Sequence, residues 1–279
     1  MTPKPPSPIL IGFEGTRLNP TLQQHLVKIN PAGIVLFQRN IHSLDQTRTL
    51  IHEIRKLLGP ILVAIDHEGG MVNRFPQGCP VPPSPMSLQH LNNPEVTREA
   101  CKMQAELLCY LGCNLNLAPV LDLATEMRNP AIGTRAYSGD PAEVAEYGKI
   151  CVAEHEKLLI GTTAKHFPGH GRSETDSHLS AGIVHASAEV LWNEDLLPFR
   201  ELIKNGIPVV MPAHLQYSAL DPGTPALFSK KILTTLLREK LGFQGLIISD
   251  CVEMSAVDGN FSPERIAQNG LAAGIDLFI

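Results

Sequence analysis

Short apolar runs recur along the chain, each closed by polar residues and followed by a stretch with helical spacing. The runs are 9–13, 33–37, 61–65, 114–119, 162–166, 209–214, 246–250 and 275–279. Apolar residues fill most of these runs instead of alternating with polar ones, which predicts strands buried on both faces, as in a parallel sheet. Between them, helices are predicted from Asn19 or Thr21 to about 29, from Ser43 or Asp45 to 58, and over 94–111, 141–157, 187–205, 229–241 and 266–273. Pro31 with Gly33, Gly59-Pro60 and Gly242 supply the stops. Residues 75–85 form a long loop rich in Pro and Gly. The polar stretch 122–140 is long for a mere connection, which favours a binding loop.

About eight strand–helix alternations, with no internal repeat and no interdomain linker, predict an α/β fold. The form expected is a single (β/α)8 TIM-type barrel. It occupies residues 9–279, preceded by a disordered Pro-rich tip at 1–8. The competing architecture, an open doubly wound sheet, would show a Gly-rich phosphate turn after its first strand, and Gly12-x-x-Gly15 is a poor version of one. The last apolar run, 275–279, has no helix after it. The expectation is a barrel lacking its last helix, or one whose open face another segment or subunit covers.

Polar residues close these runs in a telling way. Asp66, Asn116, Lys165, His166, His214 and Asp250 all fall at or near C-terminal ends of different predicted strands. In a barrel those ends converge on one mouth. Any one of them alone reads equally well as a cap or loop polar; six together do not. The densest stretch is Ala164-Lys165-His166-Phe167-Pro168-Gly169-His170-Gly171, followed by Asp176-Ser177-His178. A Lys-His pair taken out of water needs partners to offset its desolvation. Gly69, Gly70, Gly169 and Gly171 are expected to leave room for a ligand close to the backbone.

Composition narrows the class. The chain has 279 residues, 43% of them hydrophobic, enough for a full core. A formal net charge of -5 with no basic run argues against nucleic acid as a partner. No run approaches the ~20 apolar residues of a membrane span, and the N-terminal apolar run is too short for a secretory signal. The six cysteines form no CxxC pair, consistent with free thiols in a reducing compartment. A cytoplasmic protein acting on a small molecule is expected, as a monomer or weak homo-oligomer.

The chemistry of the mouth can be read residue by residue. Asp250 is expected to present its carboxylate there as nucleophile, general base or metal ligand. Asp176 and His178, two apart, share a face if that segment is extended, and a carboxylate beside imidazole holds its tautomer and stabilises its charged form. Arg74, Arg135 and Lys165 supply positive donors. A carboxylate with several fixed donors is what a polyhydroxylated sugar ring requires.

These residues also resemble a known family. Asp66-x-Glu68-Gly69-Gly70-x-Val72-x-Arg74, Lys165-His166-Phe167-Pro168-Gly169-His170-Gly171 with Asp176-Ser177-His178, and Ser249-Asp250-x-x-x-Met254 resemble the family 3 glycoside hydrolases. Within that family they look like the bacterial β-N-acetylglucosaminidases that recycle cell-wall fragments. His67 stands where glutamine is common. The resemblance implies a retaining mechanism with Asp250 as nucleophile and the Asp176–His178 pair as general acid/base. It implies that Asp66, Arg74, Arg135, Lys165 and His166 hold the N-acetylglucosamine ring. It implies no cofactor and no metal. The substrate implied is a carbohydrate or muropeptide, N-acetylglucosamine β-1,4-linked to an anhydro-N-acetylmuramoyl peptide. Some relatives use phosphate as acceptor, so a phosphorylase is an alternative. Two further alternatives are a metal-dependent barrel hydrolase using His166, His170, His178, His214 and Asp250, and a non-catalytic sugar-binding protein. Against the metal reading, the strands carry no His-x-His pair and Lys165 would repel a divalent cation.

Overall fold

The structure is a computed structural model and describes residues 5–76, 78–125, 129–173, 182–253 and 262–279. It is an α/β fold built on a curled parallel sheet of seven strands. In chain order the elements begin β1 (Ser7–Ile11), α1 (Pro20–Ile29), β2 (Pro31–Leu36), α2 (Leu44–Leu58), β3 (Leu62–Ile65), a short α3 (Pro85–His90), α4 (Pro94–Leu111), β4 (Leu115–Asn116) and α5 (Pro141–Glu156). They continue with β5 (Gly161–Phe167), β6 (Ile183–Val184), α6 (Ala188–Val190), α7 (Leu196–Lys204), β7 (Val209–Pro212), β8 (Gln216–Tyr217), β9 (Leu246–Ile247) and α8 (Pro263–Ala273). The sheet order is β1-β2-β3-β4-β5-β7-β9, every pair parallel, and β6 pairs with β8 in a separate parallel ribbon.

The helix starts follow from local chemistry. Asn19 caps α1 by accepting from the Leu22 N–H at 2.9 Å. Ser43 caps α2 by accepting from Gln46 N–H, and the Gln46 side chain reaches back to the Ser43 N–H, a reciprocal capping box. α2 buries Leu50, Ile51 and Ile54 against the sheet, about 1.5–3 kcal/mol for each side chain. The predicted helix over 187–205 is interrupted by π-type turns at Leu191–Asp195. Pro198 sits just beyond them, lacks an N–H and would crowd the carbonyl four residues back, so a widened turn there relieves the conflict. Lys231–Lys240 also winds in π-type turns.

Two sequence expectations need correction. Ser7 and Pro8 are strand residues, not part of a disordered tip. The Ser7 N–H donates to Asn30 O and its hydroxyl to Ile29 O, each at 2.7 Å. The last apolar run forms no regular strand ladder, so the sheet counts seven strands where eight were expected. That run instead makes single bridges on both sides, Leu277 with Ile248 and Phe278 with Ile9. Leu10 N–H donates to Phe278 O at 2.7 Å, and Ser249 N–H to Leu277 O at 2.9 Å.

Packing explains the curl. Leu10, Val35, Ala64, Leu115, Val209 and Leu277 belong to one buried cluster inside it, though they come from segments scattered along the whole chain. Larger clusters lie between the sheet and its helices, such as Leu26, Ile34, Ile54 and Leu108 on one side and Phe167, Phe199, Val210 and Leu237 on another. Strands sandwiched between these layers are apolar on both faces, which is why their sequence runs show no alternation.

Candidate active site

The C-terminal end of β5 supplies Lys165 and His166, the segment after β3 supplies the partners of Lys165, and the segment after β4 supplies Asp122 to His166. Lys165 is 2% exposed. Its ammonium donates to Asp66 Oδ1 at 2.9 Å and lies 2.6 Å from Glu68 Oε1. Arg74 Nη2 donates to Asp66 Oδ2 at 2.9 Å. Arg135 donates through Nε and Nη2 to the two oxygens of Glu68, both at 2.8 Å, and through Nη1 to Ala131 O at 2.7 Å. Asp66, Arg74, Arg135 and Lys165, singled out from the sequence, therefore form one connected cluster with Glu68 at its centre.

The electrostatics follow from that pairing. Burial pushes the Asp66 carboxyl up, but the charges of Lys165 and Arg74 overcome it and hold the group well below the usual carboxylate range. Burial likewise raises Glu68, yet Arg135 and Lys165 bring it down to about 2. Burial disfavours the Lys165 ammonium, and Asp66 and Glu68 more than compensate, so its pKa lies above the ordinary lysine value. The partners that a desolvated Lys-His pair requires are thus present.

A second chain of contacts leads to Asp250. His166 Nδ1 lies 2.6 Å from Asp122 Oδ2, and His166 Nε2 lies 4.0 Å from Asp250 Oδ2. Asp122 is completely buried and also accepts the backbone N–H groups of His166 and His170. The Asp250 side chain is 28% exposed, and its Oδ1 accepts the Cys251 N–H at 2.8 Å. Burial raises the Asp250 carboxyl, but the nearby His214 and His166 imidazoles and the Lys165 ammonium hold it below the normal range, so it is ionised at neutral pH.

Three expectations about the site change. Asn116 does not face the mouth. It is fully buried and clamps the loop after β3: its Oδ1 accepts the His67 N–H and its Nδ2 donates to His67 O, both at 3.1 Å. The same amide lies 3.0 Å from His155 Nε2. Asn116 therefore fixes the residue between Asp66 and Glu68 from behind. Gly69 and Gly70 do not make room for a ligand. A Cβ at Gly69 would sit 2.5 Å from Pro83 O, and one at Gly70 2.5 Å from Ser84 Cβ. The chain's own 82–84 segment fills that space. Nor do Gly169 and Gly171 leave such room: their missing side chains admit Asp195 and the Leu123 carbonyl. Asp176 and His178 lie outside the described residues.

Glu68 and Asp122 join the candidate site in the structure but were not among the site residues expected from the sequence. Glu68 carried a signal, two positions after Asp66 in the same motif. Asp122 carried one too: it follows the apolar residues Val120 and Leu121, where Val120 bridges Lys165 of β5. Among the described residues no three His, Cys, Asp or Glu are grouped so that they could hold a metal ion. Among them, too, no helix is long and apolar enough to cross a membrane.

Comparison with known proteins accords with this geometry. Residues 10–279 match the glycosyl hydrolase family 3 N terminal domain. The chain belongs to glycosyl hydrolase family 3. It is 39% identical over 280 residues to the β-hexosaminidase of Tolumonas auensis, covering 98% of this chain and 82% of that protein. It is 36% identical over 279 residues to the β-hexosaminidase of Hydrogenovibrio crunogenus, covering 97% and 77%. Among solved structures, NagZ from Neisseria gonorrhoeae in complex with N-trifluoroacetyl-D-glucosamine superposes with a TM-score of 0.90 at 32% identity, covering 98% of this chain and 81% of that one. A family 3 β-N-acetylglucosaminidase from Paenibacillus sp. gives 0.94 at 34% identity, covering 97% of this chain. The chain spans 53% of that longer protein. These relatives agree with the expectation of a glycosidase of the β-N-acetylhexosaminidase class.

Proposed function

We propose that the protein is a retaining glycosidase that removes terminal β-linked N-acetylglucosamine from peptidoglycan fragments. In this reading Asp250 attacks the anomeric carbon through an oxocarbenium-like transition state. A glycosyl ester forms on Asp250, and water then hydrolyses it. His178, paired with Asp176, donates a proton to the leaving oxygen and later takes one from water. A neutral imidazole suits the second task beside an acidic neighbour, because it adds no like-charge repulsion. Asp66, Arg74, Arg135, Lys165 and His166 bind the sugar. Glu68 keeps Lys165 and Arg135 in place.

The observation that carries this reading is the position of Asp250. An ionised, partly exposed carboxylate lies 4.0 Å from His166, and His166 follows directly on Lys165, whose ammonium joins the Asp66–Glu68 cluster. The similarity to gonococcal NagZ, which was solved with N-trifluoroacetyl-D-glucosamine bound, supports the same class of ligand. Water is favoured over phosphate as acceptor because Arg74, Arg135 and Lys165 each already engage a carboxylate. A dianionic acceptor would have to compete for them. We also read residues 9–279 as one catalytic domain in which the bridges of Leu277 and Phe278 complete a barrel. We place it in the cytoplasm, as a monomer or weak homo-oligomer.

The test is one assay on the whole chain. A chromogenic β-N-acetylglucosaminide and the matching β-glucoside are incubated with and without phosphate, and the sugar product is identified. The expected result is free N-acetylglucosamine from the first substrate alone, unchanged by phosphate. His178→Ala should slow turnover of the natural fragment by about 100-fold or more. Formation of a sugar 1-phosphate, or wild-type turnover of the fragment by His178→Ala, would overturn the reading.

A further inference from the structure

Among the described residues, the buried Asp122 carboxylate is met by two backbone N–H donors and one imidazole nitrogen. Oδ1 accepts the His170 N–H at 2.6 Å and the His166 N–H at 3.2 Å. Oδ2 lies 3.3 Å from the same His166 nitrogen and 2.6 Å from His166 Nδ1. Burial raises this carboxyl, but His166 and the backbone donors hold it below the usual range, so it is ionised. An ionised carboxylate only accepts. The proton in the 2.6 Å contact therefore sits on Nδ1. The other ring nitrogen, Nε2, points to the Asp250 side at 4.0 Å, too far for a direct hydrogen bond. The His170 ring also lies near, with its centroid 5.7 Å away, and Lys165 precedes His166 in the chain.

We propose that Asp122 is a positioning residue for catalysis, holding a hydrogen on His166 Nδ1 so that, whenever the ring is uncharged, its Nε2 lone pair faces a sugar hydroxyl beside Asp250. The substrate half of this rests on the reading of Asp250 as the reacting carboxylate. The tautomer half does not. The geometry also fixes what Asp122→Asn would do. The asparagine oxygen would stay on the side of the His166 and His170 N–H groups, which need an acceptor. Its amide nitrogen would then face Nδ1 and donate to it. Neutral His166 would be forced into the Nε2–H form, with a hydrogen where a lone pair had been. The change is isosteric and removes no volume from the core.

The test combines spectroscopy and kinetics on the full chain. Long-range proton–nitrogen spectra of protein labelled with ¹⁵N-histidine, at mildly alkaline pH, report which nitrogen of each imidazole carries the proton. His166→Gln identifies the His166 signals. The wild type should show Nδ1 protonated at His166, and Asp122→Asn should show Nε2 protonated. In the same variant kcat/KM on an aryl β-N-acetylglucosaminide should fall by about 100-fold or more, as a wrong tautomer does in other enzymes. A purely structural role for Asp122 would leave the tautomer unchanged. An Nε2–H wild-type ring would overturn the proposal without any variant, so it stays testable even if Asp122→Asn fails to fold. A switched tautomer with kcat/KM within twofold of wild type would also overturn it. If the wild type cleaves no N-acetylglucosaminide, the reading of the reaction fails while the spectrum still decides the tautomer.

Discussion

Arg135 grips Glu68 through two parallel hydrogen bonds of 2.8 Å, and the Glu68 side chain is 1% exposed. Glu68 also faces the Lys165 ammonium at 2.6 Å. One carboxylate thus contacts two cations of the site, and both lose their closest acidic partner without it. Breaking a buried pair by removing one partner leaves an uncompensated charge and costs about 3–5 kcal/mol. Glu68→Gln should lower stability by about that much in urea titrations and reduce kcat/KM. Arg135→Lys should recover little of an Arg135→Ala loss, because an ammonium cannot supply the paired fork. A Glu68→Gln variant within about 1 kcal/mol of wild type would contradict this role.

Asn116 makes its contacts where no water reaches. Its amide serves the His67 N–H, the His67 carbonyl and His155 Nε2 together. His155 Nδ1 lies 2.9 Å from Cys151 O, so Nδ1 carries the hydrogen and Nε2 accepts from Asn116. Asn116→Ala strands three buried polar groups at about 1–3 kcal/mol each. A drop of about 3 kcal/mol or more is expected, with a raised KM because Asp66 and Glu68 flank His67. A variant with wild-type KM and an unchanged urea midpoint would refute the clamp.

Acid should unfold this protein earlier than its carboxylates alone would. Burial brings His67, His155 and His170 each down to about 4, and in the first and last a neighbouring histidine adds to the effect. For a histidine the unfolded value is about 6.5, so below that pH the unfolded chain binds more protons than the native one. Stability should therefore be full above about pH 6.5 and fall towards pH 4, by a few kcal/mol for each histidine. The His67 ring has no hydrogen-bond partner among the described residues, only the Phe75 edge at 4.9 Å. His67→Gln should thus flatten the pH dependence of the urea midpoint between about pH 6.5 and 4.5. An unchanged slope would contradict the assignment.

Much of the frame was legible because it is written locally. Asn19 and Ser43 announce helix starts, Gly59 closes α2, and unbroken apolar runs announce strands buried on both faces. Asp66 and Lys165 were foreseeable as partners because strand ends converge in this class of fold, whereas Arg74 and Arg135, which lie outside the strands, were expected there as positive donors and, by the family resemblance, as sugar-binding residues. What escaped depends on partners far apart in sequence. Asn116 looks like another mouth residue until His67 and His155 come back to it. Gly69 and Gly70 look like ligand space until residues 82–84 fold over them. β6 and β8 have two residues each, too few for any periodicity, and exist only because their chains meet.

The central claim is that the Asp250 carboxylate forms a bond to the sugar. The direct measurement is peptide mass spectrometry of the whole chain after reaction with a 5-fluoro-N-acetylglucosaminyl fluoride, a substrate that loads readily and leaves slowly. The predicted result is one added glycosyl group, carried by the peptide containing Asp250 and lost in Asp250→Asn. Label on any other residue, or rapid turnover of ordinary substrate by Asp250→Asn, would contradict it.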